Sequence, residues 1–251
     1  MLTAYLDEAG QEGREDVIIA GYIGSDEAWD RLLIKWKAAL YPRRSVHVRT
    51  LRWNGRRAAR LMAKLGPIPD ECGLQRVIGH VRVADYADLF TELQLRKLVP
   101  GYQMALHALI NSVLRWIPKH EQVKFYFEQQ DVFARQQHVV LTAYSQMPCF
   151  KMGSGQSQLA GWAALPKGTY FEPADALAYT VLQYARDPRS ERFKVCSPFM
   201  GNRWSLGARP TRAEVRAAMQ LTKQWWAAYG PNGGSYAWLD RMSTKMPEDR
   251  K

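Results

Sequence analysis

Leu2-Thr3-Ala4-Tyr5-Leu6-Asp7-Glu8-Ala9-Gly10 opens the chain, and Val17-Ile18-Ile19-Ala20-Gly21-Tyr22-Ile23 follows after a short polar, Gly-containing stretch. Both runs are short and rich in β-branched or aromatic residues, which predicts two strands joined as a hairpin. Ser25 is then a good helix N-cap, Asp26 and Glu27 sit where a helix dipole favours negative charge, and Ala28, Trp29, Leu32, Leu33, Trp36, Ala39 and Leu40 recur at helical spacing until Pro42. Trp29 and Trp36, two turns apart on that helix, belong to its core face.

Further along, Ser45 to Thr50 reads as a short extended piece, and Asn54 caps a helix reaching Leu65 before Gly66-Pro67. Val77, Gly79, Val81 and Val83 alternate with polar neighbours and predict a third long strand. Helical segments are expected over about 85–98 and 102–117, separated by Pro100-Gly101. A strand around Val123, Phe125 and Phe127, a helix over about 132–146, a strand from Leu159 to Leu165 and a helix from Pro173 to Arg186 complete an α/β succession. Gly153 to Gln158 looks like a mobile loop, and its GxG is too short and generic to indicate a phosphate cradle. A last helix is expected over about 211–229, with the tail after Thr244 disordered. Trp225, Trp226, Tyr236 and Trp238 suit core or subunit packing better than base stacking.

The 251 residues, 47% hydrophobic and 24% charged with a mean hydropathy of -0.38, describe one elaborated globular domain. The longest apolar run, about Val17 to Gly24, is far short of a membrane helix, so neither membrane spanning nor a cleaved secretion signal is expected. Cys72, Cys149 and Cys196 are odd in number and widely spaced, which argues against a disulfide framework or zinc knuckle and makes a cytoplasmic location the expectation. The oligomeric state stays open, a dimer included.

Charge is more informative by position than by sum. The net charge is +11, yet residues 1–30 hold eight acids against Arg14 alone, and residues 31–69 hold eleven Lys or Arg and no acid. An acidic opening therefore adjoins a basic block, Arg43, Arg44, Arg49, Arg52, Arg56, Arg57, Arg60 and Lys64, suited to the phosphates of nucleic acid or simply to a solvated face.

Three acids take special places in this layout. Asp7 ends the first strand, Glu128 ends a later strand, and Asp175 falls in the first turn of the helix after the last strand. Ligands of open α/β sheets bind beyond the strand ends, and clustered carboxylates repel unless a cation sits among them. Hard oxygen ligands without His or Cys neighbours favour Mg2+ or Mn2+ over zinc. Each acid also has a plain structural reading, as a turn residue, an exposed strand end or a helix-dipole partner.

At these residues the chain resembles a bacterial and phage family known as domain of unknown function 3800. Tyr5-Leu6-Asp7-Glu8-Ala9-Gly10 resembles its Asp-Glu-Ser-Gly opening, Phe171-Glu172-Pro173-Ala174-Asp175-Ala176-Leu177-Ala178-Tyr179 its closing Leu-Gln-x-Ala-Asp-x-x-Ala-Tyr signature, and Ser45-Val46-His47 its middle segment. Ala9 stands where the family has Ser, and Glu172 where it has Gln.

The resemblance implies a ribonuclease H-like fold over residues 1–187. That fold is a mixed sheet, a three-strand antiparallel meander plus parallel strands, flanked by helices. It would carry a helical insertion at about 25–70, with residues 188–251 as a C-terminal helical extension. It implies Asp7, Glu128 and Asp175 as metal ligands, Glu8 as a second acid if the strand bends, and His47 as a proton shuttle or leaving-group contact. The fold's further acid, on the helix after the meander, has no counterpart in 102–117, where Asp and Glu are absent, and Glu92 or Asp88 are the nearest substitutes. The expected activity is a divalent-metal nuclease acting on DNA or RNA. The alternatives are a non-catalytic nucleic-acid-binding or assembly subunit and, less favoured, a hydrolase or transferase acting on phosphorylated small molecules.

Overall fold

Leu2–Ala9 forms strand β1, which pairs antiparallel with β2 (Asp16–Gly24) so that Thr3 lies opposite Gly24 and Asp7 opposite Ala20. The computed structural model describes residues 1–10, 16–51, 56–88, 101–129, 134–146, 150–201, 212–213 and 215–216. After β2 come α1 (Asp26–Leu40), α2 (Arg56–Leu65), α3 (Ile68–Glu71), β3 (Gln75–Arg82), α4 (Gly101–Trp116), β4 (Val123–Glu128), α5 (Ala134–Gln146), β5 (Leu159–Leu165), α6 (Glu172–Arg186) and α7 (Glu191–Cys196).

The sheet runs β3-β2-β1-β4-β5, with β2 antiparallel to both β1 and β3 and with β1, β4 and β5 mutually parallel. This is the expected mixed α/β sheet. Every residue of β2 is buried, the pattern of a strand covered on both faces. On one face Ala4, Leu6, Val77, Val81, Phe125 and Phe127 pack with Tyr102, Leu106 and Leu109 of α4 and Val140 of α5. On the other, Ile18, Ala20, Tyr22 and Ile78 pack with Trp29, Leu32 and Trp36 of α1 and Leu177 and Val181 of α6. Gly79 lets α4 lie directly against β3, since a Cβ there would stand 2.2 Å from the Ala105 carbonyl oxygen.

Helix α1 begins and ends close to where its signals place it, with the Ser25 hydroxyl accepting from Ala28 N–H. Both tryptophans are buried, Trp29 donating through its indole N–H to the Thr3 carbonyl. Residues 45–50 depart from expectation. They do not continue extended, because Val48–Thr50 closes a 3₁₀ turn in which the Thr50 N–H and hydroxyl both return to the His47 carbonyl. Around Gly153–Gln158 the backbone turns on itself: Met152 N–H donates to the Gln156 carbonyl, Gly155 N–H to that of Met152, and Lys151 bridges Ser157.

Short helices α3 and α7 carry too few residues for a periodic signal. The helix expected over 85–98 begins as a 3₁₀ turn at Val83–Tyr86, and its remainder from 89, including Glu92, lies outside the described residues. Also outside them are Trp225, Trp226, Tyr236, Trp238 and the tail at 245–251, while 212, 213, 215 and 216 of the last expected helix are helical. Among the described residues no helix is long and apolar enough to cross a membrane.

One packed group gives the core an acid sensitivity. Burial between α4 and α5 pushes the His107 imidazole down to about 4, where its Nδ1 lies 3.4 Å from the Tyr144 hydroxyl. The unfolded chain, with an ordinary His near 6.5, then binds a proton that the folded chain refuses. Stability from this group is intact above about pH 6.5 and falls as pH drops toward 4, by at most about 1.4 kcal/mol per unit. Urea unfolding from pH 7 to 4.5 should show the unaltered protein losing stability relative to His107→Gln across that window, and parallel curves would refute the assignment.

Candidate functional site

Strands β1 and β4 run side by side in register, Leu6 opposite Phe127, so the next residues, Asp7 and Glu128, stand together at the carboxyl ends of two parallel neighbours. Side chains alternate along a strand. Tyr5 and Tyr126, each two residues earlier, stack at 5.2 Å on the face covered by α1 and α6, so Asp7 and Glu128 point to that face as well. Tyr5 also stacks on Tyr170 at 4.7 Å, with Trp29 edge-on, giving the mouth a rigid aromatic floor. Gly10 ends β1 at φ 99, and a Cβ there would meet the Asp16 carbonyl oxygen at 2.2 Å, which accounts for the glycine after Asp7-Glu8-Ala9.

Helix α6 brings the third acid. Asp175 Oδ2 accepts from the Val48 N–H at 2.9 Å and from His47 Nδ1 at 2.8 Å, and these two donors turn residues 47–50 inward. Nδ1 is shared between two neighbours of opposite kind, the Asp175 carboxylate at 2.8 Å, which accepts, and the Lys167 ammonium at 3.2 Å, which donates, whereas Nε2 makes neither contact. His47 is about one third exposed, 37%, and so remains open to a ligand. Asp175 Oδ1 has no hydrogen-bond partner among the described residues.

Electrostatics tie the acids to one another. Asp7 is 4% exposed, and its carboxyl is held well above the usual range, first by burial and then by the charges of Glu8, Asp175 and Glu128. Glu8 is pushed up to about 7, chiefly by burial and further by Glu128, against hydrogen bonds from Tyr102, Asp7 and Gln137 that favour its charged form. Alternation sends Glu8 to the opposite face, yet its carboxyl still meets that of Asp7 at the strand end, and the Glu8 N–H donates to Asp7 Oδ1 at 2.8 Å.

Glu172, one residue before Pro173 in the same first turn, is 5% exposed and is used as a brace. Its Oε2 accepts from Trp36 Nε1 at 2.7 Å, the Val46 N–H also donates to its carboxylate, and burial raises its carboxyl. It therefore ties α1, α6 and the His47 segment together.

Lys167 was not legible in the sequence as a site residue. It lies in the short link from β5 to α6, and its Nζ is 3.7 Å from Glu128 Oε1 and 3.2 Å from His47 Nδ1. Only the pairing of β5 beside β4 puts it there.

Among the described residues, no group of three or more His, Cys, Asp or Glu is arranged so that it could hold a metal ion as it stands. The donor chemistry nevertheless suits a hard divalent cation: carboxylate oxygens, one imidazole, no thiolate, and a buried acid whose carboxyl is raised by burial and then by its acidic neighbours. Asp88 is exposed and paired with Arg212. Of the basic block, Arg43, Arg44, Arg49, Arg56, Arg57 and Arg60 are exposed, Lys64 donates its ammonium to the Ala39 carbonyl at 2.9 Å, and Arg52 lies outside the described residues. Compared with known proteins, the chain matches no family model and no curated protein.

The Glu172 brace has a direct test. Trp36→Phe leaves a buried carboxylate short of a donor and should cost about 1–3 kcal/mol in denaturant unfolding. Adding Glu172→Gln, which removes the charge, should recover part of that loss; equal stability of Trp36→Phe and the unaltered protein would contradict the brace.

Proposed function

We propose that this chain is a ribonuclease H-like nuclease that hydrolyses phosphodiester bonds of DNA or RNA with Mg2+ or Mn2+ held by Asp7, Glu128 and Asp175. The observation that carries the reading is that three acids, far apart in sequence and borne by β1, β4 and α6, stand at one sheet mouth, where the charges of Glu128 and Asp175 act on Asp7. The strand order supports it, as do the Asp-Glu and Ala-Asp motifs that resemble domain of unknown function 3800. Divalent ions bound there would acidify an attacking water and neutralise charge on the leaving oxygen.

The chain's own residues supply the remainder. Water oxygen bonds to phosphorus as one bridging P–O bond breaks, a proton leaves the water, and the leaving oxygen takes up a proton. His47 Nε2, aimed by the Nδ1 bond to Asp175, is placed to carry one of those protons. Lys167 carries positive charge beside Glu128, where a substrate phosphate needs a counter-charge. Arg43, Arg44 and Arg49 extend from the segment bearing His47, and Arg56, Arg57 and Arg60 line the exposed side of α2, a sequence-independent hold on the backbone.

A second reading, a binding or assembly subunit that keeps the fold without cutting, is favoured by α4, whose sixteen residues include no acid. One experiment separates the two. Purified protein with manganese should cut DNA or RNA, and Asp7→Asn or Asp175→Asn should abolish cutting. Asp7→Asn should melt no lower than the unaltered protein without metal, since it removes an acid whose charged form burial and the neighbouring Glu8, Asp175 and Glu128 disfavour. Full activity in either variant would sink the ligand assignment; salt-sensitive binding without cutting under either metal would establish the second reading.

A further inference from the structure

Lys167 is held at its backbone and loose at its head. Gln129 N–H donates to the Leu165 carbonyl just before it, and Phe171 N–H donates to the Gly168 carbonyl just after it, so the link is tied to β4 on one side and turns tightly into α6 on the other. The side chain is 54% exposed, and its Nζ stands 3.7 Å from Glu128 Oε1, an ion-pair distance too long for a hydrogen bond. Its closer contact is His47 Nδ1 at 3.2 Å, which also faces Asp175 Oδ2 at 2.8 Å. One ring nitrogen cannot accept from an ammonium and donate to a carboxylate at once, so those two bonds exclude each other. Among the described residues, the basic side chains in ion-pair contact with the three proposed ligands are Lys167 on Glu128 and His47 on Asp175.

Resting on the metal-site reading above, we infer that Lys167 is an exchangeable counter-ion: its ammonium holds Glu128, yields that carboxylate to a divalent cation, and then takes a phosphate oxygen of the substrate. Charge sets the exchange. The ammonium offsets part of the repulsion among the acids, but beside a divalent ion on Glu128 the same charge is repelled. A flexible alkyl stem lets the head move while the hydrogen bonds on either side keep the backbone in place. Phosphate suits it as a destination, since Lys binds phosphate as a point charge without demanding a fixed angle. Its departure also leaves His47 Nδ1 to Asp175 alone, so seating the cation and aiming the imidazole become one event.

The test is titration calorimetry on the full chain, first with manganese alone and then with thymidine monophosphate added to the manganese-loaded protein, a probe that carries a phosphate but no phosphodiester to cut. Lys167→Met should bind manganese about 3- to 10-fold more tightly and the nucleotide more weakly by about the same factor, because one charge is removed from both encounters. Lys167→Arg keeps that charge and should gain no manganese affinity. Opposite signs at a single residue mark an exchanged charge, whereas a merely structural loss would weaken both. If Lys167→Met binds manganese no more tightly than the unaltered protein, or the nucleotide no more weakly, the inference is overturned while the proposed function stands. If neither protein binds manganese at millimolar concentration, both fall together.

Discussion

Burying like charges together is the constraint on which this site depends. Asp7 is nearly sealed from water at the end of β1, with Glu128 on the neighbouring parallel strand, Asp175 on the covering helix and Glu8 next along the chain. A carboxylate in that position is costly unless it keeps its proton or gains a cation. Hydrophobic packing on both faces of the sheet has to carry this cost, and it does so with β2 buried throughout and an aromatic group, Tyr5, Tyr126, Tyr170 and Trp29, packed directly beneath the acids. A fold seeking stability alone would have placed Leu or Val at Asp7.

Each acid is also restrained by partners of its own. Asp175 is gripped by Val48 N–H and His47, Glu172 by Trp36, Glu8 by Tyr102 and Gln137, and Glu128 faces Lys167. These donors come from α1, the 46–48 segment, α4, α5 and the link between β5 and α6, so nearly every layer of the protein helps hold one mouth of the sheet. The His47–Asp175 contact does two things at once, placing an imidazole beside the acids and curling the backbone that carries Arg49.

Much of the sheet could be read from the sequence because alternation and continuous apolar runs act locally. Val123–Glu128 and Leu159–Leu165 carry their patterns to their ends, and Ser25 caps α1 through an atom three residues from its partner. Asp7, Glu128 and Asp175 could be singled out because strand ends and helix starts are legible positions. Residues 48–50 could not, since what bends them is a carboxylate 127 positions away. Lys167, Tyr102 and Gln137 were equally hidden: their meaning comes from strand order and helix docking, and no local pattern distinguishes them from a solvated lysine, a core tyrosine or a helix-surface glutamine. The helix over 101–116 contains no acid, and the group it presents to Glu8 is the Tyr102 hydroxyl.

The central claim is that a divalent cation belongs among these carboxylates. Anomalous scattering from a crystal soaked in manganese tests it most directly. The account predicts manganese peaks bounded by the carboxylates of Asp7, Glu128 and Asp175, with the mouth of β1 and β4 drawn together around them. Ordered carboxylates at millimolar manganese with no anomalous peak between them would contradict it.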